Sequence, residues 1–244
     1  MLPVLEGTIA RRVLLNFRAD PSVVRPLVPA PLEVVVQRGA ALVGICLIRL
    51  EHLRPQGLPH DIGLASENMA HRVAIRFPSA TGWHEGVFIW RRETDLALMT
   101  FLGGRLFPGV HHAARFQVRQ QSDELEMNVQ TRRNEADVLF RARLTEAWAP
   151  TASFASLAEA REFFRQGDCG FSCARRSDRL EGMQLRMQHW EPTPLAVQEV
   201  VTAFYSDPAR FPAGSVTFDS ALLLRGVAHE WHELRDVPEL AVAS

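Results

Sequence analysis

The stretch ARFQVRQQSDELEMNVQTRRNEADVLFRARLTEAW, Ala114 to Trp148, decides the fold class. Its three segments ARFQVRQQ, ELEMNVQTRR and DVLFRARLTEAW are separated by Ser122-Asp123 and by Asn134-Glu135-Ala136, short polar joins of the kind that connect antiparallel strands. In the last segment Leu139, Arg141, Arg143 and Thr145 share one face and Phe140, Ala142 and Leu144 the other. That period of two predicts strands with one face turned to a core.

Working outward, TIARRVLLNF (8–17) is strand-like, and AALVGICLIRL (40–50) is an almost unbroken apolar run that suits a strand buried on both faces. Between them Asp20-Pro21 signals a helix start, and prolines 26, 29 and 31 limit that helix to about two turns. LRPQGLPHDIG (53–63) reads as loop, and ENMAHRVAIRF (67–77) with EGVFIWRRE (85–93) as a hairpin around PSATGWH. LALMTFLGG (96–104) reads as another buried strand. SLAEAREFFRQG (156–167) is the clearest helix, with Ser156 and Glu159 as a capping box and Leu157, Ala160, Phe163 and Phe164 as its apolar stripe. CGFSCARR, LEGMQLRMQHW and SALLLRGVAHEWHEL read as further strands, whereas LAVQEVVTAFY fits either period. The expectation is one domain over residues 1–244, α+β but mainly antiparallel β, with about ten strands and one or two short peripheral helices. A chain this rich in strands closes into a barrel or stacks two sheets.

Composition narrows the function. Of 244 residues, 47% are hydrophobic and 23% charged, with a net charge of −1. Such balance offers no field for nucleic acid or an anionic membrane surface. No apolar run approaches the roughly 18 residues of a membrane span, and the first residues lack a signal-peptide pattern. Cys46, Cys169 and Cys173 form no disulfide framework, and on one strand the last two would stand about 13 Å apart, too far for a bridge. A reducing cytoplasm fits best. All 27 basic residues are arginine. Without lysine, the N-terminus is the only primary amine.

Several polar residues are candidates for chemistry. His111 and His112 follow a Pro-Gly turn, and adjacent side chains on an extended backbone point to opposite faces, so one could serve a pocket as base or metal ligand while the other is held structurally. Glu67 shares a strand face with Met69 and His71, while Asn68 and Arg72 share the other; Glu67 is either an acid or base in a barrel mouth or a surface carboxylate paired with Arg72. Arg105 is a candidate anion clamp. A metal site built from one histidine of the pair with Glu67 and His71 is a further alternative. HEWHE (229–233) has its histidines three apart rather than the four of a zinc helix and reads as structural strand. No phosphate loop, dinucleotide fingerprint or other cofactor motif is present, so no cofactor is expected.

RRVLLNFRADPSVVRPLVPAPLEV (11–34), ASENMAHRVAIRF (65–77) and GGRLFPGVHHAARF (103–116) together resemble the acetoacetate decarboxylase-like superfamily, and more closely its DUF2071 (YqjF-like) branch. The resemblance implies a cone-shaped antiparallel β-barrel with a central pocket. In the decarboxylases a lysine pair follows the Gly-Arg step, and one lysine forms a Schiff base with a β-keto acid. His111 and His112 fall at that place here. Glu67 matches a pocket glutamate, Arg11 or Arg12 lies near an arginine that holds the substrate carboxylate, and the second pocket glutamate is replaced by the apolar VGICLI (43–48). With no lysine the Schiff-base route is closed. The expectation is therefore a small-molecule pocket protein. If catalytic, it would be a non-covalent lyase, tautomerase or hydrolase on a small organic acid or carbonyl compound, with His111, His112 and Glu67 as acid, base or oxyanion donor and Arg105, Arg72, Arg11, Arg12 and Asn68 binding substrate. The alternative is a non-enzymatic ligand-binding or sensor protein, and self-association into a homo-oligomer is compatible with either.

Overall fold

The computed structural model describes residues 3–102, 109–175 and 179–234. Thirteen strands join one mixed sheet that closes on itself. They are β1 (Leu5–Ala19), β2 (Glu33–Val34), β3 (Val36–Gln37), β4 (Ala40–Pro55), β5 (Leu64–Ser79), β6 (Gly82–Thr94), β7 (His111–Gln121), β8 (Glu124–Thr131), β9 (Val138–Leu144), β10 (Cys169–Cys173), β11 (Leu180–Met187), β12 (Thr193–Thr202) and β13 (Val216–Glu233). The Ala114–Trp148 segments form β7, β8 and β9 as antiparallel neighbours. Ser122 and Asn134 take positive φ at their turns, 51° and 55°. LAVQEVVTAFY resolves as strand β12, pairing β9.

The closure is double rather than that of one simple barrel. Strands β13, β1, β4, β5 and β6 form a shared wall. On one side β7, β8, β9 and β12 complete a larger ring. On the other, β10 and β11 bridge β6 to β13 and complete a smaller one. Two pairings, β6 with β7 and β6 with β10, are parallel. Because neighbouring residues of the shared wall face opposite rings, odd-numbered positions such as Val13, Leu15, Val43, Ile45, Leu47 and Val73 join Leu125, Met127, Val129 and Phe140 in the main core. Even-numbered Leu14, Leu42, Cys46 and Ala74 face Phe154, Ala160 and Phe164 under α3 (Leu157–Arg165).

Two other helices are shorter, α1 (Pro21–Val24), extended by a 3-10 turn at Arg25–Leu27, and α2 (Ala97–Leu102). The second corrects the reading of LALMTFLGG as strand. Parallel strands need a crossover, and this helix follows β6 on the way to β7 beside it. In α3 the Ser156 hydroxyl accepts from the Glu159 amide at 3.2 Å. The Glu159 carboxylate accepts instead from the Ala155 amide, one residue earlier than a capping box requires. Among the described residues no helix is long and apolar enough to cross a membrane.

Candidate functional site

The smaller ring encloses a cavity of about 110 Å³. Its apolar wall comes from Ile48 and Leu50 of β4, Val87 and Ile89 of β6, Met99 of α2, Met183 and Leu185 of β11, and Trp231 of β13. Into it come Arg12, Cys46, Asn68, Arg72, Arg92, Glu93, Asp168 and His111.

Strand register explains this set. Arg12, Ile48 and Asn68 lie across one another on β1, β4 and β5, and Cys46, Ala70 and Arg92 do so on β4, β5 and β6, so all six point to the same ring. Arg92 reaches that face only through a bulge. His71 pairs with Arg91 and Arg72 with Ile89, so Trp90 is the extra residue and both Ile89 and Arg92 turn toward the cavity. Trp90 itself caps the other side, its indole donating to the Leu27 carbonyl at 2.8 Å. His111 follows because β7 starts parallel to β6, with His111 opposite Arg92 and His112 opposite Glu93. The turn before it needs glycine. Gly109 has φ +76°, and a Cβ there would stand 2.8 Å from Ser172 Cβ. Its amide donates to Glu181 at 2.8 Å, which anchors the start of β7.

Three arginines line the cavity against two carboxylates, Asp168 and Glu93, and Glu93 is paired with Arg91. Arg72 is 5% exposed, and its Nη2 donates to Asn16 Oδ1 at 3.0 Å. Its guanidinium lies 5.3 Å from the Phe164 ring centre, and its Nε has no hydrogen-bond partner. Arg12 donates to sulfur, to Cys46 at 3.4 Å and Met187 at 3.6 Å, and packs on Trp190. Arg92 donates to the Ser172 hydroxyl at 3.3 Å. None of these three arginines forms an ion pair among the described residues. Burial lowers both Arg72 and Arg92 to about 10, so both stay charged at neutral pH. Burial, reinforced by the Arg92 charge, lowers His111 to about 3 and leaves it a neutral imidazole.

The residues expected from sequence divide between the two rings. Asn68, Arg72, Arg12 and His111 come together in the cavity. Glu67 and Arg11 do not. They point into the other side of the shared wall and pair with each other at 2.7 Å, both nearly buried. The Glu67 pairing with Arg72 is thus replaced by one with Arg11. His71 also faces that side, buried against Phe204, with Nδ1 3.6 Å from Glu93. His112 is exposed, in an outer cleft with Arg91, Arg132, Arg133 and Glu135. Arg105 lies outside the described residues. Among those described, no three His, Cys, Asp or Glu side chains gather as a metal site, and the structure does not bring Glu67 and His71 together with a histidine of the pair. HEWHE is strand, with His229 buried and His232 turned outward to Glu230. Arg92, Cys46 and Met99 were not expected; the adjacent arginines 91 and 92 were the only signal for the first.

Two histidines should make the fold acid-sensitive. His229, lowered to about 4 by burial and Arg12, and His111, at about 3, each bind a proton more readily unfolded than folded. Stability is therefore present above about pH 6.5, the unfolded value, and lost as pH falls toward 4 and 3. Urea midpoints measured from pH 7.5 to 4.5 are expected to fall. His229→Phe should flatten the slope, and an unchanged slope in that variant would contradict the assignment.

Comparison with known proteins agrees with this architecture. An acetoacetate decarboxylase from Legionella pneumophila subsp. pneumophila str. Philadelphia 1 superposes with a TM-score of 0.61 at 12% identity, over 99% of this chain and 87% of that one. The enduracididine biosynthesis enzyme MppR, complexed with pyruvate, gives 0.60 at 10% identity, over 96% and 91%. An acetoacetate decarboxylase-like enzyme from Sphingomonas wittichii RW1 gives 0.59 at 12%, over 95% and 92%. These likenesses establish the acetoacetate decarboxylase-like fold. No curated protein matches. The family model that does match, over residues 7–215, is DUF2071, described as "Uncharacterized conserved protein", and the chain belongs to that family.

Proposed function

We propose that the smaller ring binds a small organic carboxylate with a short apolar or carbonyl-bearing body. The observation that carries this is Arg72, a buried guanidinium that lines the cavity without an anionic partner among the described residues. A charge held in that state is costly, and a ligand carboxylate would complete it with charge-assisted hydrogen bonds. Arg92 and Asn68 supply further donors, and the cavity volume suits a ligand of a few heavy atoms. The pyruvate complex of MppR, a protein of like fold, supports a small keto acid as the ligand class. His111, neutral beside Arg92, can donate its ring N–H to a carbonyl oxygen, in the manner of an imidazole that polarises without being protonated.

The pairing of Glu67 with Arg11 outside the cavity favours a reading without turnover, in which the protein binds such an acid as a sensor or carrier. Calorimetric titration tests the shared claim. Short carboxylates, keto acids among them, are expected to bind, and the matching amides at least about tenfold more weakly, for lack of a charge-assisted contact worth roughly 1.5–3 kcal/mol. Equal affinity for acid and amide would refute it. Incubation with pyruvate and consumption assays then separate enzyme from sensor.

A further inference from the structure

We infer that Cys46 is a nucleophile that adds reversibly to the carbonyl carbon of a small keto or aldehyde acid held in this cavity. The inference rests on the carboxylate reading above and assigns a covalent step to a residue that neither sequence pattern nor family likeness singled out. Cys46 lies at mid-strand on β4, between Leu14 of β1 and Ala70 of β5, and its side chain opens on the cavity. It is a free thiol, and Arg12 Nε donates to its sulfur at 3.4 Å. Arg72 and Arg92 line the same cavity. A thiolate formed there would be hydrogen-bonded to one cation in a cavity lined by two more, the electropositive surroundings that mark reactive cysteines.

An independent feature points to the ligand. Arg72, 5% exposed, lines the same cavity with Nε unpartnered, so a carboxylate docked on it would place the adjacent carbonyl near the sulfur. In the step, the S–H bond breaks and a C–S bond forms. The carbonyl π pair moves onto oxygen, which takes the thiol proton and gives a hemithioacetal or hemithioketal. Nothing is oxidised or reduced, and reversal releases the acid unchanged. Cys169 and Cys173 do not line this cavity.

Paired alkylation tests the claim. Iodoacetate carries a carboxylate and iodoacetamide does not, and each site can be followed by peptide mass spectrometry, with exposed Cys173 as the internal reference. The ratio of iodoacetate to iodoacetamide rates is expected to be at least about tenfold higher at Cys46 than at Cys173, because the guanidiniums concentrate the anion. Glyoxylate should slow the reaction at Cys46 alone. Carbon-13 labelled glyoxylate should give a new tetrahedral-carbon signal with the intact protein and none with Cys46→Ser or Cys46→Ala, whose folding is checked by circular dichroism. No alkylation at Cys46 in the native protein, equal ratios at both sites, or an adduct signal that survives both substitutions would overturn the inference. If glyoxylate binds the native protein and Cys46→Ser equally, with no adduct in either, the covalent step fails while the carboxylate reading stands. If it binds neither, both fail.

Discussion

Replacing Arg72 by methionine is expected to weaken binding of short carboxylates by roughly 30-fold or more while leaving the melting temperature nearly unchanged. Loss of one partner from a desolvated, hydrogen-bonded charge pair costs about 2–5 kcal/mol in binding, and the lower figure is already a factor of about 30. Stability responds differently because, among the described residues, the charge has no anionic partner. Exchange of a buried ion for an apolar residue of similar volume is often neutral or favourable. Against that gain stands the Asn16 Oδ1 acceptor, which loses its donor at 3.0 Å, although Asn16 keeps a hydrogen bond to the Ser220 hydroxyl at 3.4 Å. Calorimetry and thermal melts read the two effects separately. A variant that melts many degrees lower yet binds carboxylates normally would mean that Arg72 serves packing, through Phe164 and Asn16, and not the ligand. Arg72→Lys is a sharper companion, since it keeps the charge but loses the planar fork and should recover only part of the affinity.

The second large effect lies in the other ring. Phe140→Ala is expected to destabilise the protein by about 3–5 kcal/mol, the usual range for removing a fully buried aromatic side chain. Phe140 is 0% exposed in the main core, opposite Met127 of β8 and Val200 of β12. Strand β9, which carries it, takes no part in the smaller ring. Denaturant unfolding should therefore show the full loss, while the folded fraction binds carboxylates with unchanged affinity. A parallel loss of affinity would mean that the two rings are coupled through their shared wall more tightly than the cavity lining implies.

Much of this architecture was legible along the chain. The alternation of Leu139 to Leu144 reads as strand because a period of two leaves no helical face, and the long apolar run from Ala40 reads as doubly buried because both of its faces lie against protein. Ser156 marks the start of α3 through local geometry alone. The short run Leu96 to Leu102 misled because six or seven apolar residues satisfy either period, and only the need to carry the chain from β6 to a parallel neighbour selects helix there.

For the candidate site the division is sharper. Sequence alone closed the Schiff-base route, since a chain without lysine has no side-chain amine to form the imine. It also placed His111 and His112 on opposite faces of an extended strand, and grouped Asn68 with Arg72 apart from Glu67 and His71. What it could not supply was which face meets a cavity. That depended on closure into two rings with a common wall, which gave Arg12 to the pocket and Arg11 to Glu67. It depended as well on one bulged residue, Trp90, which turned Arg92 rather than Arg91 inward. A period of two fixes alternation within a strand, but the choice between its two sides is made by contacts with strands distant in sequence, and one inserted residue reverses it.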